Sequence, residues 1–211
     1  AGFHPEIPKQ WTSPKVLFCA NTHPESQISV FDQCPSAEIS AIDTFMLWIE
    51  TEFEQLSLAM RKADIAILNE EEVCAISGEQ VFTRALEPIM SGSALHGGES
   101  AGNGPRSIIV KRGSSGVMAK FPCGTIVLPA FPTDEIEDPT GCGDSFAGAF
   151  LANIAGGVGV LNDLEAIRSA MVHAVITSSF TIGGLGSTKL QMLERGVYHA
   201  RLDRYRRMVG L

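Results

Sequence analysis

Short apolar runs alternate with stretches of helical spacing along this chain. Val16–Ala20, Ile39–Thr44 and Ile65–Leu68 are too short for helices and predict buried strands. Between them, Pro24–Cys34 carries Ile28 and Phe31 on neighbouring turns, with Gln27 beside them. Glu50–Lys62 sets Phe53, Leu56 and Met60 on one helical face. Glu70–Ile76 predicts a short helix closed by Gly78, and Val81–Met90 another. The glycine-rich stretch Ser93–Pro105 predicts a mobile loop. Ser107–Lys111 and Val117–Phe121 read as strands joined by the turn Gly113-Ser114-Ser115-Gly116, and Thr125–Leu128 as a further strand. Asp144–Ile154, Leu164–Phe180 and Thr188–Val209 predict helices. Residues 1–15, with Pro5, Pro8 and Pro14, read as irregular, and no internal repeat is visible.

Strands alternating with helices predict an α/β fold with a mostly parallel central sheet. Such sheets bind ligands beyond the C-terminal ends of their strands. Asp43, Asn69 and Lys111–Gly116 each follow a predicted strand, and Gly141–Asp144 opens a helix. These positions are expected to share one active site.

Composition narrows the class. The 211 residues are 45% hydrophobic, enough for one domain with a sizeable core. No stretch reaches the roughly 20 apolar residues of a membrane span, and no signal peptide is apparent. A net charge of −8 argues against nucleic acid as a partner. Five cysteines without a C-x-x-C suggest neither zinc nor a disulfide framework. Four of them read as small buried hydrophobes, and reduced thiols fit a cytoplasmic protein.

The candidate chemistry centres on Asp138-Pro139-Thr140-Gly141-Cys142-Gly143-Asp144-Ser145-Phe146. A Gly-x-Gly turn at a helix start points unpaired N–H groups at one spot, where the helix dipole adds positive charge. That spot suits a phosphate, and Asp144 beside it suits a general base. An Asp in a first helical turn also has a purely structural use. Cys142 in this turn is expected to have a lowered pKa, with burial acting the other way. Asn69 with Glu72 reads as a helix cap, Lys111–Gly116 as a hairpin, Asp138 as a turn cap and His173 as a structural helix residue. Each has a functional alternative.

The nonamer, with its small-residue helix, resembles the C-terminal signature of the PfkB family of ribokinase-like carbohydrate kinases. The strand leading into Asn69-Glu70-Glu71-Glu72 resembles the family's Asn-x-x-Glu segment. The resemblance implies the ribokinase-like fold and an ATP-dependent kinase acting on a hydroxyl. Asp144 would be the base, and Gly141, Cys142 and Gly143 the anion hole. Asn69 and Glu72 would organise Mg²⁺ through water. Lys111, Gly113, Ser114 and Gly116 would hold ATP, and His173 would lie at the adenine pocket. Asp138 and Thr140, with the Ile182–Ser187 loop, would form a monovalent-cation site for K⁺. Asn21 and Asp43 would face the acceptor, in segments similar to one subgroup of these kinases. Phe45 and Met46 depart from that subgroup, which carries Asn or Arg there.

The family's N-terminal signature and β-sheet lid have no counterpart in residues 1–211. The chain is therefore expected to be a single ribokinase-like α/β domain, N-terminally truncated, with low or no turnover by itself. The expected acceptor is a sugar, or in a second reading a nucleoside. A third reading is a kinase-like binding protein without turnover. A homodimer of a full-length parent is the assembly the resemblance allows.

Overall fold

The computed structural model describes residues 3–157 and 159–211. Residues 1 and 2 of the stretch expected to be irregular lie outside the described residues. Six strands form one sheet in the order β1 (Val16–Cys19), β2 (Ile39–Ile42), β3 (Ile65–Asn69), β4 (Ser107–Lys111), β5 (Val117–Phe121) and β6 (Gly124–Leu128). Strands β1 to β4 run parallel, with Val16 opposite Ile39, Ala41 opposite Ile65 and Asn69 opposite Lys111. β2, and β3 and β4 up to their last residues, are buried on both faces, as parallel strands covered by helices must be. β5 and β6 instead alternate buried with more exposed positions. The expected mostly parallel α/β architecture is the one observed.

The described residues divide into two compact units. One runs to Lys111 and includes Ala119–Pro122; the other comprises Arg112–Met118 and Cys123–Leu211. In the first unit, α1 (Pro24–Gln33) starts where His23 Nδ1 accepts from the Glu25 amide and Pro24 supplies a preset φ. Helix α4 (Glu70–Ser77) ends at Gly78, whose φ of +72° a side chain would strain, and α5 (Phe82–Ser91) follows. In the second unit, α6 (Cys142–Ile154) packs on α7 (Leu164–Thr181), which Asp163 caps.

Two expected helices are each broken in two. Glu50–Lys62 is resolved into α2 (Met46–Thr51) and α3 (Phe53–Lys62), with Glu52 non-helical at φ −132°, ψ 35°. Thr188–Val209 divides into α8 (Thr188–Gln191) and α9 (Arg195–Val209). Neither break carries a Gly or Pro. Within α2, Trp48 Nε1 donates to Asn21 Oδ1 at 2.9 Å, a tertiary bond that periodicity cannot reveal. The 93–105 loop, expected to be mobile, is tied down. The Arg61 guanidinium donates to the carbonyls of Gly92, His96, Gly98 and Gly102, and the His96 amide donates to Ser57 Oγ.

Candidate active site

The first unit gathers three of the expected site residues at the C-terminal ends of adjacent strands. Asp43 follows β2, Asn69 ends β3 and Lys111 ends β4. Asp43 is 6% exposed. Its Oδ2 takes an ion pair from Lys111 Nζ at 3.0 Å, and its Oδ1 accepts the Thr44 amide at 2.8 Å. Pairing of this kind is what permits a buried carboxylate at all. Lys111 is thus ion-paired with Asp43.

Asn69 and Glu72 form a reciprocal capping box. Asn69 Oδ1 accepts the Glu72 amide and Glu72 Oε2 accepts the Asn69 amide, both at 2.8 Å. Burial pushes the Glu72 carboxyl up to about 7; the Asn69 amide opposes this, Asp43 and Glu71 add to it, and Lys111 reduces it. Glu72 thus sits at the border of protonation at neutral pH. Among the described residues no group of three or more His, Cys, Asp or Glu side chains could hold a metal ion. The oxygens that Asn69 and Glu72 present are largely spent on the cap. This donor set fits an ion that keeps its waters and its phosphate ligands, not a protein cage.

Asn21, after β1, accepts the Trp48 indole, and the Trp48 ring meets His23 edge-on at 5.0 Å. One residue in this neighbourhood was not singled out as functional by sequence reasoning. Gln27 is 1% exposed, and its Nε2 donates to the carbonyls of Asp43 (2.9 Å), Ala20 (3.0 Å) and Cys19 (3.4 Å). Its sequence signals were a Gln beside apolar helix positions and its place at the end of the Ala20–Gln27 segment that resembles one subgroup of these kinases.

The second unit holds the glycine turn. Gly141 caps α6 at φ +82°, a left-handed conformation that favours glycine. The Cys142 amide donates to the Pro139 carbonyl at 3.1 Å and the Ser145 amide to the Gly141 carbonyl at 2.9 Å. Cys142 therefore has its N–H engaged in the turn. Among the described residues, the amides of Gly141, Gly143 and Asp144 have no hydrogen-bond acceptor, and nothing binds the exposed Asp144 carboxylate. The turn is clamped from behind: Thr181 Oγ1 donates to Ser145 Oγ at 2.8 Å, and Cys142 Sγ reaches the Ser178 carbonyl at 3.8 Å.

Cys142 corrects an expectation. Burial pushes its thiol pKa up, the Ser178 contact opposes this, and Asp138 adds to it. Helix-terminus activation does not win. Of the four cysteines read as buried, Cys19 and Cys34 are buried, whereas Cys74 and Cys123 are half-buried; all five are free thiols.

Asp138 Oδ1 accepts the Thr140 amide at 2.9 Å, and Thr140 holds the Asp138 carboxyl below its usual range. The amides of Glu137 and Asp138 both donate to the Ile182 carbonyl, at 2.9 and 3.2 Å. The Asp138 segment and the start of the 182–187 loop are thus brought together. In the 112–116 turn, Gly113–Ser115 forms a 3₁₀ turn, and the Arg112 amide donates to Gly116 O. Gly116 has a packing reason to be glycine: a Cβ there would lie 2.1 Å from the Leu128 carbonyl oxygen. Ser114 is exposed. His173 Nδ1 lies 2.6 Å from Tyr198 OH with the rings stacked, and burial, with help from Arg206 and His199, lowers its pKa. These contacts clasp α7 to α9.

Residues 20–180 match the pattern of the pfkB family carbohydrate kinases. The chain belongs to this family. A cytidine kinase of Thermococcus kodakarensis is 28% identical over 160 residues, covering 72% of this chain and 51% of that kinase. Among solved structures, a Vibrio cholerae fructokinase with fructose, ADP and calcium ion bound aligns with a TM-score of 0.72 at 19% identity, over 94% of this chain and 63% of that one. A Burkholderia thailandensis nucleoside kinase in complex with inosine gives 0.69 at 19% identity, over 90% and 56%. The chain spans about half the length of the cytidine kinase and under two thirds of either structure. The structural likeness establishes the ribokinase-like fold. Among the described residues no helix is long and apolar enough to cross a membrane.

Proposed function

We propose that this pfkB family chain carries the chemistry of an ATP-dependent phosphotransferase whose acceptor is a hydroxyl of a sugar or nucleoside. The observation that carries the reading is the Gly141–Asp144 turn. It leaves three N–H groups without acceptors and one carboxylate without a donor at the start of a 13-residue helix. Unpaired donors at a helix N-terminus suit the γ-phosphoryl oxygens of ATP. Gly141, Gly143 and Asp144 supply these N–H groups. The Cys142 amide is spent on Pro139, so Cys142 contributes shape to the anion hole in place of a donor.

Asp144 takes the proton from the acceptor hydroxyl as that oxygen bonds to the γ-phosphorus. The bond from the γ-phosphorus to the bridging oxygen breaks and ADP leaves with that electron pair. Mg²⁺, when bound, would draw negative charge from the phosphates. Asn69 and Glu72 would order its waters. Gly113, Ser114 and Gly116 shape a nucleotide-side turn, and Asn21 and Asp43 face the acceptor. Asp138 and Thr140, near the Ile182 backbone, are the residues proposed to attend a K⁺ ion. His173, which holds α7 against α9 through Tyr198, is the residue proposed to lie at the adenine pocket.

The cytidine kinase relative, matched over 72% of this chain, favours a nucleoside acceptor over a hexose. Single-turnover transfer from γ-labelled ATP with Mg²⁺ to cytidine and to fructose tests the reading. Slow, acceptor-dependent transfer that Asp144→Asn removes supports it. ATP binding with transfer no greater than in Asp144→Asn would instead favour a kinase-like binding protein.

A further inference from the structure

The acceptor side of the first unit is carried by two loops that leave adjacent parallel strands: Ala20–Thr22 after β1 and Asp43–Phe45 after β2. At the strand ends the Asp43 amide donates to the Cys19 carbonyl at 3.0 Å. Gln27 supplies a further tie beyond that point. From α1 its amide nitrogen reaches Ala20 O in one loop, Asp43 O in the other and Cys19 O at the strand end. Three carbonyls around one nitrogen fix the orientation of the amide group.

The arrangement carries an uncompensated cost. Gln27 Oε1 and Thr44 Oγ1 are buried with no partner among the described residues. An apolar residue would fill the space under α1 without that cost. What an apolar residue cannot do, and the Gln27 amide nitrogen does, is bind carbonyls from both loops at once.

We propose that Gln27 is a positioning residue that sets Asn21 against Asp43 and so tunes acceptor recognition. The proposal rests on the kinase reading for its acceptor. Gln33, on the same helix, is a built-in comparison. It also ties backbone, accepting the Ile7 amide and donating to Pro5 O, both at 2.8 Å, but it touches neither loop.

The test compares Gln27→Met and Gln33→Met in the full chain, with Gln27→Glu as a second variant that keeps shape and has at most one donor, too few to tie both loops. Hydrogen exchange at the Asp43 and Thr44 amides should quicken about tenfold in both Gln27 variants and stay within twofold in Gln33→Met. Titrations with cytidine and fructose should show acceptor Kd raised about tenfold in the Gln27 variants, with Kd for ATP unchanged. Unchanged exchange at Asp43 and Thr44, or equal weakening of ATP and acceptor, would overturn the proposal. If wild type binds neither acceptor but the exchange contrast holds, Gln27 still sets the loops, and the kinase reading is what fails. Should Gln27→Met not fold, Gln27→Glu decides by the same two readouts.

Discussion

The two polar clusters differ in one respect that organises the rest: one is satisfied and the other is not. In the first unit, Asp43 is paired with Lys111 and the Thr44 amide, and Asn69 and Glu72 satisfy one another. In the second unit, the Gly141–Asp144 turn leaves the amides of Gly141, Gly143 and Asp144 without acceptors among the described residues and the Asp144 carboxylate exposed. A buried charge such as the Asp43 carboxylate is costly unless it is paired in advance, and even here Gln27 Oε1 and Thr44 Oγ1 are buried without a partner among the described residues. Exposed groups at a helix start can wait for a ligand, with water satisfying them meanwhile. The paired cluster is therefore expected to govern stability, and the open turn to govern turnover.

Substitutions should separate the two along that line. Asp144→Asn should lower phosphoryl transfer by about 10²–10⁴-fold, the range of a general base, while stability stays within about 0.5 kcal/mol, as for exposed sites. Denaturant melts beside single-turnover assays check both halves. Asp43→Asn should do the reverse in stability. It leaves the Lys111 ammonium without its ion pair in a largely buried position, at a cost of about 3 kcal/mol, read as a lower urea midpoint.

Glu72 sharpens the comparison through pH. Its folded pKa, near 7, lies above the ordinary 4.5. The stability it contributes is therefore full below about pH 4.5 and is lost as pH rises through 7. Glu72→Gln, which preserves the capping box, should stabilise the protein at pH 8 by about 2 kcal/mol and flatten the pH dependence between 5 and 8. Melts at stepped pH would show it, and an unchanged slope would contradict it. Asn69→Ala should cost about 1 kcal/mol as a lost cap. The smallest effect concerns Cys142: with its pKa raised, it should be alkylated no faster at pH 8 than half-buried Cys123, as mass spectrometry after limited labelling would read.

Much of this was legible in the residues. The strands β1 to β4 followed from apolar runs, and the Asn69–Glu72 cap from its spacing, because both are local effects. The glycine turn was legible for the same reason: Gly141 needs its left-handed φ whatever surrounds it. What stayed hidden depends on distant partners. The Asp43–Lys111 pair joins residues 68 apart. The break at Glu52, the anchoring of the 93–105 loop by Arg61 and the tie made by Gln27 all rest on contacts that no periodicity encodes. Cys142 shows the limit from the other side. Its helix position was visible, but the burial that outweighs it arises from packing against α7.

The central claim is that the Gly141–Asp144 turn is held open for phosphate. Amide NMR of the chain during titration with Mg²⁺ and ATP tests it most directly. The largest shifts are predicted at Gly141, Gly143 and Asp144, with a smaller one at Cys142, whose N–H is already bonded. Saturable ATP binding that leaves these amides unmoved, or moves Cys142 most, would contradict the account.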